Sequence, residues 1–144
     1  MNAPSSRTRR RSDRRRARAA DELSTVFPSV APSAASARRF VAAALRRWGC
    51  SNDFIELVLL LTSELVTNAY RHAGTETRVS VRLDDDCARV EVRDVGRGEP
   101  ELRPLDTHST DGRGLQIVDA LADRWGYHSN GGGTAVWFEL VPRP

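Results

Sequence analysis

Residues 57–74 read LVLLLTSELVTNAYRHAG, which predicts an apolar helix with polar residues at three regularly spaced positions. Glu64, Asn68 and His72 follow one another at intervals of four, so their side chains lie in one row along the helix. Toward the N-terminus the same row continues into leucines, so it begins in the core and opens onto something polar. Because a buried carboxylate and a buried amide need partners, a metal ion and a phosphorylated ligand are suitable neighbours for Glu64 and Asn68.

The composition is typical of one globular domain with a basic arm. The chain has 144 residues, of which 40% are hydrophobic, and a net charge of +3. Eight arginines and one aspartate give the first 20 residues a net charge of +7, whereas 14 arginines and 18 acidic residues give the remainder −4. We therefore divide the chain into a disordered Arg-rich arm, residues 1–22, and a single domain, residues 23–144.

The arm has two interpretations. Its arginines could bind the phosphates of a nucleic acid, or they could form a solvated tail. No aromatic residues lie between the arginines and no nucleic-acid-binding fold is recognisable behind them, which favours the tail.

The cysteines and the apolar segments indicate the compartment. Cys50 and Cys87 lack metal-ligand spacing, so each is interpreted as a small hydrophobic residue in a reducing environment. No apolar run approaches the length of a membrane span, and no apolar segment of a signal peptide follows the Arg tract. These observations predict a cytoplasmic protein without membrane contact.

Hydrophobic periodicity predicts helices interspersed with strands. Ser33 is expected to cap a first helix that ends at Gly49, and either Ser51 or Asn52 is expected to cap the central helix. Residues 57–61 are apolar on every side, which predicts a helix buried on more than one side. Strict or partial alternation predicts strands at residues 23–27, 77–83, 88–94, 125–129 and 134–141.

The second half of the chain combines a hairpin turn, a loop and a glycine-flanked helix. The three consecutive aspartates at 84–86 are interpreted as a solvated turn, because they lack the spaced oxygen ligands of a calcium loop. Residues 99–111 contain two prolines and no periodicity, which predicts a loop. The helix that follows has an apolar side formed by Leu115, Ile117, Val118 and Leu121.

Two glycine pairs indicate where a ligand could approach the backbone. Asp94 ends a predicted strand and is followed by Gly96 and Gly98. Gly112 and Gly114 open the last predicted helix, where free amides and the helix dipole favour a phosphate.

The order of these pieces resembles a known family, although each piece is weak alone. Four boxes occur in sequence: Glu64-Leu-Val-Thr-Asn68-Ala-Tyr-Arg-His72, Asp94-Val-Gly96-Arg-Gly98, Gly112-Arg-Gly114-Leu115, and Gly133-Thr134. Together they resemble the GHKL ATPase superfamily with its Bergerat ATP-binding fold. The chain is most similar to the short stand-alone branch, the anti-sigma-factor serine kinases of the RsbW and SpoIIAB type, from about residue 24 to residue 141. The resemblance implies an α/β (α+β) two-layer sandwich, with a mixed, largely antiparallel sheet and helices on one face.

The resemblance also implies roles for individual residues. Glu64 would be the general base, and Asn68 would coordinate a Mg²⁺ ion that bridges the phosphates of ATP. Asp94 would accept a hydrogen bond from the adenine amino group with help from Thr134. The ATP-binding residues implied in this way are Asn68, Asp94, Gly96, Gly98, Gly112, Gly114, Leu115 and Thr134. Four further side chains could reach a phosphate, namely His72, Arg71, Arg97 and Arg113, although His72 equally suits the negative end of a helix dipole and the arginines an exposed surface.

The implied function is that of a Mg-ATP-dependent protein serine/threonine kinase. Such a protein phosphorylates a STAS-domain anti-sigma-factor antagonist, holds a sigma factor and commonly forms homodimers. Two alternatives stay open: a non-catalytic ATP-binding switch that regulates a protein partner, and a non-nucleotide fold in which Glu64 and Asn68 bond only to backbone. The chain departs from histidine kinases in lacking their dimerisation and phosphoacceptor helices, and the loop at 99–111 is short for an ATP lid.

Overall fold

Strands and helices account for most of the residues that the structure describes. The computed structural model describes residues 21–30, 32–73, 76–94, 113–130 and 133–142. Within these ranges the helices are α1 (Ser33–Arg47), α2 (Asn52–Ala73) and α3 (Arg113–Leu121). The strands are β1 (Asp21–Phe27), β2 (Thr77–Leu83), β3 (Ala88–Asp94), β4 (Arg124–Asn130) and β5 (Gly133–Leu140).

The five strands form one sheet in the order β1-β2-β3-β5-β4. Every described strand pair is antiparallel, so the expected mixed sheet contains no parallel pair within the described residues. Side chains alternate between a helix-facing side and an outer side, and the helix-facing positions of β2, β3 and β5 are buried. The expected two-layer α+β class is therefore confirmed.

The central helix α2 lies between α1 and α3 and packs on β3, β5 and β2. Its buried side includes Val58, Leu61 and Leu65, which join Val90 and Phe138 of the sheet in one hydrophobic cluster. Because α2 contacts a helix on either side as well as the sheet, its sequence is more apolar than that of a helix with one side fully exposed to solvent.

The helix ends follow from local chemistry. The backbone N–H groups of Gly49 and Cys50 donate to the carbonyl oxygens of Arg46 and Leu45, which is the Schellman pattern, and Gly49 has a positive φ of 86°. The hydroxyl oxygen of Ser51 accepts a hydrogen bond of 3.2 Å from the backbone N–H of Phe54, so Ser51 is the N-cap of α2.

Several predictions about these elements were wrong. Pro32 occupies the cap position of α1, and the Ser33 hydroxyl donates instead to the carbonyl oxygen of Pro28, because Ser33 is already helical. Leu121, on the predicted apolar side of α3, is 44% exposed. Leu60 is also 44% exposed, although α2 is buried on more than one side, as predicted. Strand β1 begins at Asp21, which places residues 21 and 22 of the predicted arm in the sheet.

The remaining strands lie within one residue of their predicted bounds. The carboxylate oxygen Oδ1 of Asp84 accepts hydrogen bonds from the backbone N–H groups of Asp86 and Cys87, which confirms the turn. Cys50 and Cys87 are half-buried and are not joined by a disulfide. In the described part of the chain, no helix is both long enough and apolar enough to cross a membrane.

Candidate functional site

The polar row on α2 begins where the helix leaves the core. Leu61 is fully buried, Glu64 is half-buried, and Asn68 is 7% exposed. The neighbouring hydroxyls of Thr62 and Ser63 donate to the carbonyl oxygens of Val58 and Leu59, at 2.8 and 3.0 Å. These hydroxyls are therefore engaged within α2, which leaves Glu64 and Asn68 as the polar groups on the side predicted to meet a ligand.

The topology places the end of this row beside the end of β3. Helix α2 ends at Ala73, and β2 begins at Thr77 and pairs with Asp94 at the last residue of β3. Since α2 also packs on β3, Asn68 lies in the part of the helix nearest to the Asp94 end of the sheet. An amide and a carboxylate that are 26 positions apart in the sequence therefore lie toward the same end of the sheet.

Asp94 is in close contact with the start of β5. Gly133 has a φ of 118°, and a Cβ at this position would overlap the backbone carbonyl oxygen of Asp94 and lie 3.5 Å from its carboxyl carbon. The next residue, Thr134, is half-buried, and its hydroxyl is 3.1 Å from the hydroxyl of Ser129 on β4. Only a glycine at 133 leaves the backbone room to lie against Asp94.

Sequence reasoning identified Gly133 by its motif but missed this packing role and the Ser129 contact. The three consecutive glycines at 131–133 were the available signal. The Asp94 contact depends on β5 pairing with β3, which the local sequence does not specify.

Helix α3 packs beside α2 and begins at the predicted phosphate-binding glycines. Gly114 lies in its first turn, where backbone N–H groups have no partner within the helix. Leu115 is 1% exposed and belongs to the hydrophobic core, so in the described structure it anchors the start of α3.

The other predicted site residues lie outside the described part of the chain. They comprise the residues Gly96, Arg97, Gly98 and Gly112 and the side chains of Arg71, His72 and Arg113. Their roles stay predictions.

The chain matches the family described as the histidine kinase-like ATPase domain over residues 27–140. It belongs to this family. Membership of an ATPase family implies that the chain binds ATP, and it confirms the GHKL resemblance of the four boxes.

Two solved structures and one curated relative are similar to the chain. The RsbU and RsbW domains of a Mycobacterium tuberculosis protein match with a TM-score of 0.66 and 21% identity, over 86% of this chain and 33% of that one. A blue-light-activated histidine kinase of Erythrobacter litoralis matches with a TM-score of 0.51 and 24% identity, over 72% of this chain and 40% of that one. An uncharacterized protein of Streptomyces coelicolor is 37% identical over 87 residues, covering 57% of this chain and 83% of the relative. The two structures share the fold, and each belongs to a chain of more than twice the matched length.

The polar groups of the described residues are chemically suited to a nucleotide and its metal ion. Asn68 offers an amide oxygen, which is a hard ligand suited to Mg²⁺, and magnesium takes few protein ligands when phosphates supply the others. No group of three or more His, Cys, Asp or Glu side chains that could hold a metal occurs in the described part of the chain. The carboxylate of Asp94 suits the amino group of a base, because a carboxylate accepts hydrogen bonds.

Proposed function

We propose that this protein is a Mg-ATP-dependent protein serine/threonine kinase of the anti-sigma-factor type. Its substrate would be a STAS-domain antagonist, and it would hold a sigma factor when that antagonist is absent or phosphorylated. The observation that carries this proposal is the buried Asn68 on α2, one turn beyond the half-buried Glu64, at the Asp94 end of the sheet.

Asp94, Asn68 and Glu64 would each have a separate role in phosphoryl transfer. Asp94 would accept a hydrogen bond from the adenine amino group and so orient the nucleotide. Asn68 would hold the magnesium ion, whose chemical contribution would be positive charge beside the phosphates. Glu64 accepts the proton of the attacking serine or threonine hydroxyl, and its partial exposure leaves the carboxylate accessible to a protein substrate.

The family match supports ATP binding, and the fold shared with an RsbW domain supports a regulatory protein partner. The alternative is an ATP-binding switch without catalysis, which would need Asn68 and Asp94 but not Glu64. Substitution of Glu64 therefore distinguishes the two functions.

The first experiment is calorimetric titration of ATP with and without Mg²⁺. We expect binding that depends on magnesium and that weakens at least about tenfold in Asn68→Ala. Asn52→Ala is the matched control, because it makes the same change at an exposed position on the same helix. Equal binding by Asn68→Ala and Asn52→Ala would show that ATP does not use this site.

The second experiment measures transfer of labelled γ-phosphate to STAS-domain proteins encoded in the same genome. In Glu64→Gln we expect the transfer rate to fall by about 10²–10⁴-fold while ATP affinity is retained, as for the loss of a general base. Glu56→Gln, at an exposed position two turns earlier on α2, should retain the native rate. ATP binding without transfer in the native protein would favour the switch.

A further inference from the structure

The outer face of the sheet carries an ordered array of charges on the side opposite to the helices. Strand pairing aligns its side chains in three rows across the order β1-β2-β3-β5-β4. The first row is Val26, Arg78, Arg93, Ala135 and His128. The second is Ser24, Ser80, Glu91, Trp137 and Gly126, and the third is Glu22, Arg82, Arg89, Glu139 and Arg124.

The array is basic although the domain is acidic. Five arginines and three glutamates give the outer face a net charge of +2, whereas the chain beyond residue 20 carries −4. The outer face is therefore more positive than the domain as a whole, and its charge is not distributed evenly within that face.

In row three, the facing arginines have glutamates as neighbours within the same row. Arg82 and Arg89 face each other across β2 and β3, but Glu22 and Glu139 flank them. An oxygen of Glu139 lies 3.3 Å from Arg89, and Arg89 also stacks on the Trp137 ring with its guanidinium carbon 4.0 Å from the centroid. This is the arrangement expected of a face that meets only water.

Row one has no such balance. Arg78 and Arg93 also face each other directly, and their neighbours in the row are Val26 and Ala135. One carboxylate of row two reaches Arg93 at 3.9 Å, and the same Glu91 lies 3.7 Å from Arg89, so it is shared between two guanidinium groups. Like charges directly opposite on neighbouring strands destabilise a sheet. The free domain therefore carries a local repulsion that an anionic ligand would relieve.

The remaining groups of row one fit an anion as well. Arg93 donates to the Nε2 atom of His128 at 3.2 Å, which leaves the Nδ1 atom of that ring as a donor. Row one crosses β3 at Arg93 and β5 at Ala135, which are the sequence neighbours of Asp94 and Thr134. The row therefore lies behind the candidate nucleotide site, on the other face of the sheet.

We propose that row one is a docking site for an acidic protein segment. Five strands spaced about 4.8 Å apart make the row about 19 Å long, which matches about six extended residues. A nucleic acid fits less well, because the glutamates of rows two and three would repel a continuous phosphate backbone while a short segment with a few carboxylates avoids them. Arginine is also a residue enriched in protein interfaces.

The test uses the full chain and a fluorescein-labelled hexaglutamate peptide. We expect binding that weakens as salt is raised, and that falls at least tenfold in Arg78→Glu. Arg38→Glu, the same change on the exposed side of α1, should alter affinity less than twofold. The Arg-rich arm is present in both variants, so a difference in affinity between them arises from the substituted positions and not from the arm.

Thermal unfolding provides a readout that a merely structural arginine would not give. Arg78→Glu replaces a repulsive cross-strand pair by an attractive one, so it should raise Tm by about 2–5 °C while it removes binding. Arg78→Glu that lowers Tm would overturn the repulsion argument.

Three binding outcomes would overturn the proposal. Equal loss of peptide affinity in Arg78→Glu and Arg38→Glu would show attraction to the overall charge only. Tighter binding of a hexathymidine oligonucleotide that depends on Arg78 would show a nucleic-acid site. Self-association that disappears in Arg78→Glu would show that a second copy of the chain occupies the face.

Discussion

At the scale of single residues, Gly49 and Gly133 allow the stability cost of backbone strain to be distinguished from that of a steric clash. Gly49 and Gly133 both have positive φ, 86° and 118°, but an added Cβ at 49 meets nothing within 4 Å whereas one at 133 overlaps the backbone of Asp94. We predict that Gly49→Ala costs about 1 kcal/mol of unfolding free energy from strain alone. Gly133→Ala should cost at least twice as much and should also weaken ATP binding, because Asp94 must move. Chemical denaturation and ATP titration of both variants check this, and equal losses would contradict it.

Burial and nearby carboxylates should make the thiol of Cys87 less reactive than an ordinary thiol. Burial raises the pKa of its thiol from 9.0 to about 11, and the carboxylates of Asp84, Glu139 and Asp86 act in the same direction. At pH 8 the thiolate fraction should therefore be about 100-fold lower than that of an ordinary thiol, and alkylation correspondingly slower. The pKa of the Cys87 thiol is higher in the folded protein than in the unfolded chain. The stability that the protonated thiol contributes to the folded state is therefore fully present below pH 9, and it is lost as the pH rises through about 11.

Alkylation by iodoacetamide between pH 7 and 11 measures this directly. Peptide mapping by mass spectrometry follows Cys87, and N-acetylcysteine in the same tube is the reference. A rate at Cys87 that levels off near pH 9 would contradict the prediction.

At the scale of elements, the periodicity of α2 predicted its existence and its ends but not which leucine faces water. Leu60 is 44% exposed and Leu61 fully buried, although both lie in one apolar run. We predict that Leu61→Ala lowers the free energy of unfolding by about 2–5 kcal/mol, because it leaves a cavity in the core. Leu60→Ala should change it by less than about 1 kcal/mol. Urea unfolding of the pair is the measurement, and similar losses would show that Leu60 is buried in solution.

Local sequence likewise specifies the bounds of the strands but not their order in the sheet. Strict alternation located β2 and β3 to the residue, and the Asp84 turn fixed their pairing. The insertion of β5 between β3 and β4, and the pairing of β1 with β2 across two helices, depend on contacts distant in sequence. For this reason the motifs identified Asp94 and Thr134 separately, whereas their proximity through Gly133 required the sheet order.

At the scale of the whole molecule, β1 links the two layers of the fold. Its register with β2 starts at Asp21, and its last residue Phe27 meets Phe40 of α1 edge to face with ring centroids 6.1 Å apart. Strand β1 therefore forms one edge of the sheet and joins it to the helical layer.

This arrangement predicts that two truncations a few residues apart have opposite results. A chain lacking residues 1–20 should retain the Tm and the ATP affinity of the full chain, because the whole of β1 remains. A chain lacking residues 1–27 should unfold at least about 5 °C lower, since it loses the ladder to β2 and the Phe27–Phe40 contact. Calorimetry of the three proteins decides the matter: a large loss of Tm in the first truncation would mean that the arginine-rich arm is part of the folded domain, and a negligible loss in the second would mean that the sheet does not need its edge strand.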